Sequence, residues 1–216
     1  MTGRKEKRLV SGFYRRHISP YVVNAVCSFP KLTEQRELVV PQAEGVVVEI
    51  GIGTGLNLVH YDPERVRHVI GVNPSDGLTS LVDFSRLHGD ISGELVEESA
   101  EAMSLESGTA DTIVVTYTMC SIPDIAAAVS EMRRVLKPGG RLLFCEHGRA
   151  DDPRTARWQD RLNPIWRSMA QGCHLNRRPG ELLEEGGFTL EDAHRYPLVG
   201  VPSIIGFHHI GTARPR

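Results

Sequence analysis

Short runs of β-branched and apolar residues recur along the chain, each followed by a turn signal. Val46 to Ile50 (VVVEI) is apolar almost throughout, the pattern of a parallel strand covered on both faces. Arg67 to Val72 (RHVIGV), Glu94 to Glu97, Asp111 to Tyr117 (DTIVVTY) and Arg141 to Glu146 (RLLFCE) predict further strands. Between them the period lengthens. Pro123 and Asp124 open a helix through Leu136, with Ile125, Val129, Met132, Val135 and Leu136 at helical spacing. Leu56 to Tyr61, interrupted by Pro63, and Asp76 to Leu87 predict two more helices. Lys137-Pro138-Gly139-Gly140 predicts a stop and turn. Strand and helix thus alternate across short loops, which predicts an α/β fold with a mostly parallel sheet.

The two ends of the chain differ from this middle. Ser11 to Cys27 reads as a helix bent or restarted at Pro20, and Thr33 as the cap of a second helix over Glu34 to Val40. Beyond Asp151 the pattern predicts a helix to about Ala170, a loop, and a helix from Arg178 to Glu185 closed by Gly186-Gly187. Phe188 to His194 and Ile205 to Thr212 then predict an antiparallel pair at the sheet edge, giving seven strands in all. The expected organisation is one domain over 1–216: a helical cap (1–44), a core (45–148), and pocket helices with the final strands (149–216).

Composition narrows the function classes. The 216 residues are 40% hydrophobic and 24% charged, ordinary for one globular domain. A net charge of −2 argues against broad nucleic-acid binding. Arg4, Lys5, Lys7, Arg8, Arg15 and Arg16 cluster early and could touch phosphate or an anionic membrane surface, or form a solvated helix face. No apolar run approaches the ~18 residues of a spanning helix, and no signal peptide is visible. The four cysteines form no C-x-x-C and read as free thiols, so a cytoplasmic protein is expected.

The chemistry gathers at VVVEIGIGTG, Val46 to Gly55. A buried strand running into glycines at 51, 53 and 55 makes a turn whose backbone can come close to a nucleotide-type ligand. The dinucleotide pattern G-x-G-x-x-G would need glycine at Leu56, so it is absent. The E-x-G-x-G-x-G found instead resembles motif I of the class I methyltransferases that use S-adenosylmethionine (SAM). SAEAM (Ser99 to Met103) looks like their adenine loop, with Ser99 where an acid is usual, and KPGGRLLF like the segment before their fifth strand. GIGTGLN, TYTMCSIPD, FCEHG, RWQDRLNPIW and GCHLNR are similar to a bacterial branch of small methyltransferases related to the animal alkyl-thiol methyltransferases.

That resemblance implies a Rossmann-like fold, SAM as methyl donor with S-adenosylhomocysteine as product, and a small thiol or sulfide-type acceptor. No metal is expected. Other relatives of the branch act as N- or O-methyltransferases on phospholipid head groups or quinones, a second reading; a SAM-binding module without catalysis is a third. In the resemblance Gly51, Ile52, Gly53 and Gly55 pass under SAM, and Glu49 orders the turn or holds the ammonium group through water. Asn57 meets the carboxylate or a water. Asn73, followed by Pro74 and Ser75, stands where an acid usually binds the ribose. An amide oxygen can accept from one hydroxyl, while its NH2 can only donate. Ser99, Ala100 and Glu101 would meet the adenine, and Thr116, Tyr117 and Met119 the sulfonium.

Candidates for catalysis follow the fifth strand and the GCHLNR loop. His147 is a base, an orienting donor, or a strand-end residue bonding backbone. His174 is a second candidate, or a loop residue satisfied by Asn176 or water. Tyr14, with His17 beside it, could close the site from above. Cys120, Trp166 and Cys173 would line the acceptor pocket; the cysteines could act as a relay or pack as small core residues. A zinc set of Cys145, Cys173, His147 and His174 has spacings unlike the usual ligand loops. Alternation along the last strand predicts one of His208 and His209 inside and the other outside.

Overall fold

The computed structural model describes residues 19–74, 77–170 and 172–216. In chain order its elements are α1 (Ser19–Cys27), α2 (Pro30–Val39), β1 (Gly45–Ile50), β2 (Val66–Val72), β3 (Ser92–Val96), β4 (Ala110–Thr116) and α3 (Ile125–Val135). There follow β5 (Leu136–His147), α4 (Pro153–Met169), α5 (Pro179–Glu185), β6 (Phe188–Pro197), the short α6 (Ser203–Gly206) and β7 (Phe207–Pro215). The strands form one seven-stranded sheet in the order β3-β2-β1-β4-β5-β7-β6. β7 is antiparallel to both β5 and β6, and the remaining pairs are parallel. The strand order reverses between β1 and β4, the place where open sheets of this kind bind ligands at their carboxyl ends.

Alternation along each strand feeds two cores. Val48, Ile50, Ile113, Val115, Leu142 and Phe144 pack with Val129 and Met132 of α3 and Leu183 of α5. Val47, Val114, Leu143 and Cys145 face the other way, against Val39, Val40, Leu58 and Tyr61. Apolar residues at consecutive positions therefore reflect a sheet covered on both sides.

Several expected elements differ. Leu56 to Tyr61 holds only a 3-10 turn at Leu58–His60. The expected helix over 76–87 is replaced by two 3-10 turns, Leu78–Leu81 and Phe84–Arg86. Asp83 opens the second by accepting from the Ser85 N–H at 3.0 Å, the local side-chain bonding that competes with a continuous helix. α2 starts at Pro30 rather than after Thr33, since proline in a first turn loses no hydrogen bond. Lys137 to Gly140 loops out within β5, whose register with β4 jumps from Ala110↔Leu136 to Thr112↔Arg141. The last strand begins at Phe207, because Ser203–Gly206 is helical.

The turn after β1 is held by Glu49. Its carboxylate is buried at 2% exposure and accepts from Asn57 Nδ2 at 2.9 Å and Tyr61 OH at 2.7 Å. Asn57 Nδ2 also donates to Thr116 Oγ1 at 3.1 Å, which joins the turn to the end of β4. Burial pushes the Glu49 carboxyl up to about 7, against the lowering effect of Tyr61, Asn57 and the Arg36 charge. The unfolded carboxyl titrates near 4.3. Between those values the folded chain binds more protons than the unfolded one, so this group's contribution to stability falls as pH rises. The unfolding free energy of the wild type relative to Glu49→Gln should therefore fall by up to about 3 kcal/mol between pH 4.5 and 8 in denaturant titrations. A difference that stays flat contradicts the buried, proton-holding carboxyl.

Candidate active site

Gly51, Gly53 and Gly55 follow β1 with φ of 71°, 55° and 75°, the left-handed region open to glycine. The three are not equivalent. A Cβ on Gly51 would lie 2.2 Å from the Thr118 side chain, whereas one on Gly53 would meet nothing closer than Gly51 O at 3.7 Å. Gly53 is thus the open face of the turn and Gly51 its contact with the loop after β4. Ile52 is buried and packs where a side chain on Gly71 would stand, so it locks the turn onto β2. Asn73, at the end of β2, accepts from Gly53 N–H at 3.3 Å and donates to Pro74 O at 2.8 Å. Its amide oxygen, expected to accept from a ribose hydroxyl, accepts here from the glycine turn.

Next along the edge, Ser99 donates to Glu101 Oε2 at 3.0 Å and accepts from the Glu101 N–H at 3.3 Å. Glu101 Oε1 accepts from Asp124 N–H at 2.6 Å, tying the loop after β3 to the start of α3. Ala100 is in the core. Glu49, Asn57 and Thr116 share one buried hydrogen-bonded set. The Asn57 Oδ1 atom is buried with no protein partner among the described residues. Met119 is fully buried in the core, so its backbone rather than its thioether reaches the edge.

Tyr117, at φ 52°, turns toward the opposite face. Its OH lies 3.0 Å from His208 Nε2 and accepts from Cys145 Sγ at 3.4 Å. His208 Nδ1 is 3.1 Å from Gly206 O, which only accepts, so Nδ1 carries the proton and Nε2 accepts from Tyr117. Burial lowers the His208 pKa to about 4 and pushes the Cys145 thiol up to about 12. Both His208 and His209 are buried, contrary to the expected alternation, because β7 lies inside the sheet and each ring finds a carbonyl.

α1 and α2 lie over this edge. Thr54 Oγ1 of the glycine turn donates to Asn24 Oδ1 of α1 at 2.9 Å. The buried Arg36 of α2 donates to Cys27 O at 2.7 Å and sits 4.8 Å from the centre of the Tyr117 ring. Nothing in the sequence pattern singled out Arg36; it reads as one more charge in a polar helix. Tyr14, His17 and Ser75 lie outside the described residues.

On the other side of the β4–β5 edge the chain gathers sulfur and imidazole. His147 Nε2 is 3.1 Å from Cys173 Sγ, and Trp166 Nε1–H donates to the same sulfur at 3.4 Å. Cys120 completes the group: its Sγ, His147 nitrogen and Cys173 Sγ all lie within 4.8 Å of one another. Burial lowers the His147 pKa, but the contact with Cys173 and the nearby Glu146 outweigh it and the net shift is upward. Cys173 is pushed up by Cys120 and by burial. The loop carrying Cys173 is fixed by His174 N–H to Cys120 O and Leu175 N–H to Asn163 Oδ1, both at 2.9 Å. The His174 ring approaches Asn163 at 3.5 Å, while Asn176, its expected partner, donates to Asp160. Cys145 belongs to the Tyr117 chain and not to this group.

Two further residues hold the loop after β4. Glu146 is 0% exposed; its Oε1 accepts from the N–H groups of Thr118 at 2.7 Å and Met119 at 3.0 Å. Its Oε2 is buried without a partner among the described residues, and burial pushes the carboxyl up to about 7. Arg177 donates to Ile122 O at 2.8 Å and to Met119 O, on either side of Cys120. An acid at a strand end and an arginine in a loop are common features, and neither announced this clamp.

The methyltransferase-domain family matches residues 48–144, from β1 to the middle of β5. The thiol S-methyltransferase TMT1B of Homo sapiens is 31% identical over 172 residues, covering 77% of this chain and 69% of that protein. The ubiquinone/menaquinone biosynthesis C-methyltransferase UbiE of Bartonella tribocorum is 30% identical over 121 residues, covering 56% of this chain and 37% of that protein. The chain spans 61% of the rat TMT1B relative's length. Among solved structures, a geranyl diphosphate methyltransferase in complex with SAM superposes with a TM-score of 0.63 at 14% identity over 85% of each chain. The [4+2]-cyclase SpnF superposes at 0.62 with 17% identity, over 86% of this chain and 80% of that one. Its name indicates another reaction, so the shared architecture shows fold alone. The family match across the glycine turn, with the identity to human TMT1B, makes the chain a member of the class I SAM-dependent methyltransferases.

Proposed function

We propose that this chain methylates a small thiol or sulfide-type acceptor. The observation that carries the reading is the wall of Cys120, His147 and Cys173 at the β4–β5 edge, with Cys120 on the loop whose Thr118 packs against Gly51. Soft, weakly hydrated donors of this kind suit a sulfur acceptor better than a polar head group. The identity to thiol S-methyltransferases supports the same choice. Four free cysteines agree with work in the reducing cytoplasm. Among the described residues no helix is long and apolar enough to cross a membrane.

The residues fit SAM. Gly53 leaves open the side on which a ligand would approach, and Asn57 Oδ1 is a buried acceptor with no protein partner among the described residues. Bound there, SAM supplies a methyl group already activated on a sulfonium. In our reading Gly51, Ile52, Gly53 and Gly55 shape the cradle, and Glu49 and Asn57 face the amino-acid end. Asn73, Pro74 and Ser75 line the ribose, and Ser99, Ala100 and Glu101 the adenine. The backbone from Thr116 to Met119 borders the reacting end. α1 covers the glycine turn through Asn24 and Thr54, and Trp166 and His174 bound the acceptor side. A thiol near pKa 8.5 is already a few per cent ionised at neutral pH, so alignment of the two sulfurs is the main task left to these residues.

UbiE similarity supports a quinone or head-group acceptor as the second reading. The two separate in one assay of S-adenosylhomocysteine release over sulfide, alkyl thiols, amines, phenols and phosphatidylethanolamine. Turnover of thiols is expected; turnover of phenols or the amine lipid with none on thiols overturns the proposal. The donor site has its own test. Asn73→Asp keeps an acceptor for the Gly53 N–H and replaces the amide NH2 with a second acceptor for the ribose. Calorimetry should show SAM bound at least as tightly as by the wild type, and a loss of about tenfold, or 1.4 kcal/mol, removes Asn73 from the ribose site.

A further inference from the structure

Cys120, His147 and Cys173 come from three separate segments: the loop after β4, the end of β5, and the loop after α4. Their donor atoms converge within 4.8 Å, with 3.1 Å between His147 Nε2 and Cys173 Sγ. Zinc bonds of ~2.3 Å to sulfur and ~2.0–2.1 Å to nitrogen, at tetrahedral angles, put ligand atoms about 3.6–3.8 Å apart. The cluster spans that separation and needs adjustments of about an ångström or less to meet it. Two thiolates and a neutral imidazole balance a divalent charge, and this donor set with one open position is a catalytic rather than a structural arrangement.

The surroundings are those of a held ligand set. Trp166 Nε1–H is directed at Cys173 Sγ at 3.4 Å, and Ser121 Oγ lies 3.3 Å from Cys120 Sγ. Both can donate to a sulfur that carries negative charge, the role of partners that orient metal ligands. The Glu146 and Arg177 clamp fixes the backbone that carries Cys120, and His174 N–H holds Cys120 O against the Cys173 loop. The sequence hides the set because no two of the ligands share a short ligand loop.

We propose that Cys120, His147 and Cys173 form a three-ligand zinc site whose open position binds the acceptor as its thiolate. The second half of this rests on the thiol reading above; the first half does not. The thiol replaces a metal-bound water and its proton leaves to solvent. A lone pair of the bound sulfur forms the new S–C bond to the donor methyl, and the electron pair of the breaking C–S bond stays on the donor sulfur. The resulting thioether is neutral, a weaker zinc ligand than the thiolate, and water displaces it. His147 is here a ligand that holds the metal.

The test uses the full chain, purified under reducing conditions, stripped with a chelator and titrated with Zn²⁺ or Co²⁺ without acceptor. One metal per chain is expected, with a thiolate-to-cobalt charge-transfer band in the near ultraviolet. Cys120→Ser and Cys173→Ser should lose the band and Cys145→Ser should keep it. Trp166→Phe should weaken zinc about 10- to 100-fold. If the serine variants fail to fold, alkylation of the wild type decides: zinc should protect Cys120 and Cys173. Absence of both stoichiometric metal and protection overturns the site, as does a Cys120–Cys173 disulfide that forms in place of metal binding. Metal bound with the cobalt band, but no turnover of thiols, keeps the metal site and removes the thiol acceptor.

Discussion

The structure depends on a carboxylate taken out of water at the end of β1. Among the described residues Glu49 has no counter-ion in hydrogen-bond contact; two neutral donors, Asn57 and Tyr61, hold it instead. Such a group is costly to bury unless its hydrogen bonds are made. Making them pulls residues 57 and 61 back beneath the strand, and the chain between must then reverse tightly, which glycines at positive φ permit. Asn57 extends the same set to Thr116, so the ends of the two central strands are fixed against each other. The open face at Gly53 is a consequence of that bracing.

A second buried carboxylate, Glu146, does the corresponding work one strand away. By taking the N–H groups of Thr118 and Met119 it sets the path of the loop after β4, and Arg177 holds the same loop through its carbonyls. The path delivers Cys120 to His147, while α4 and its following loop deliver Cys173. The glycine turn and the loop after β4 are thus shaped by the same device, an acid near the end of a strand spent on a turn at the sheet's edge.

The sheet was legible because strands covered on both faces must be apolar at consecutive positions, and VVVEI, DTIVVTY and RLLFCE are. The segments after β1 and β2 form 3-10 turns and not helices because a few apolar residues at helical spacing say nothing of Asp83 accepting from the Ser85 N–H or of Pro63 close behind. The glycine turn was legible from positive-φ chemistry, and the four residues that brace the two loops were only half so: Glu49 stood inside a motif, whereas Arg36, Glu146 and Arg177 act through tertiary contacts. His147 and Cys173 were each singled out, yet their meeting with Cys120 depends on strand order and on a returning loop, which local pattern does not encode.

In the proposed reading the cradle at Gly51 to Gly55 and the cluster of Cys120, His147 and Cys173 face the same reacting atom. A crystal structure of the full chain with S-adenosylhomocysteine measures this directly. The product's sulfur is expected over the Thr116–Met119 backbone and turned toward the cluster, with room for one more sulfur about 3–3.5 Å from the position of the lost methyl carbon. A sulfur turned away from the cluster, or separated from it by core side chains, would contradict it.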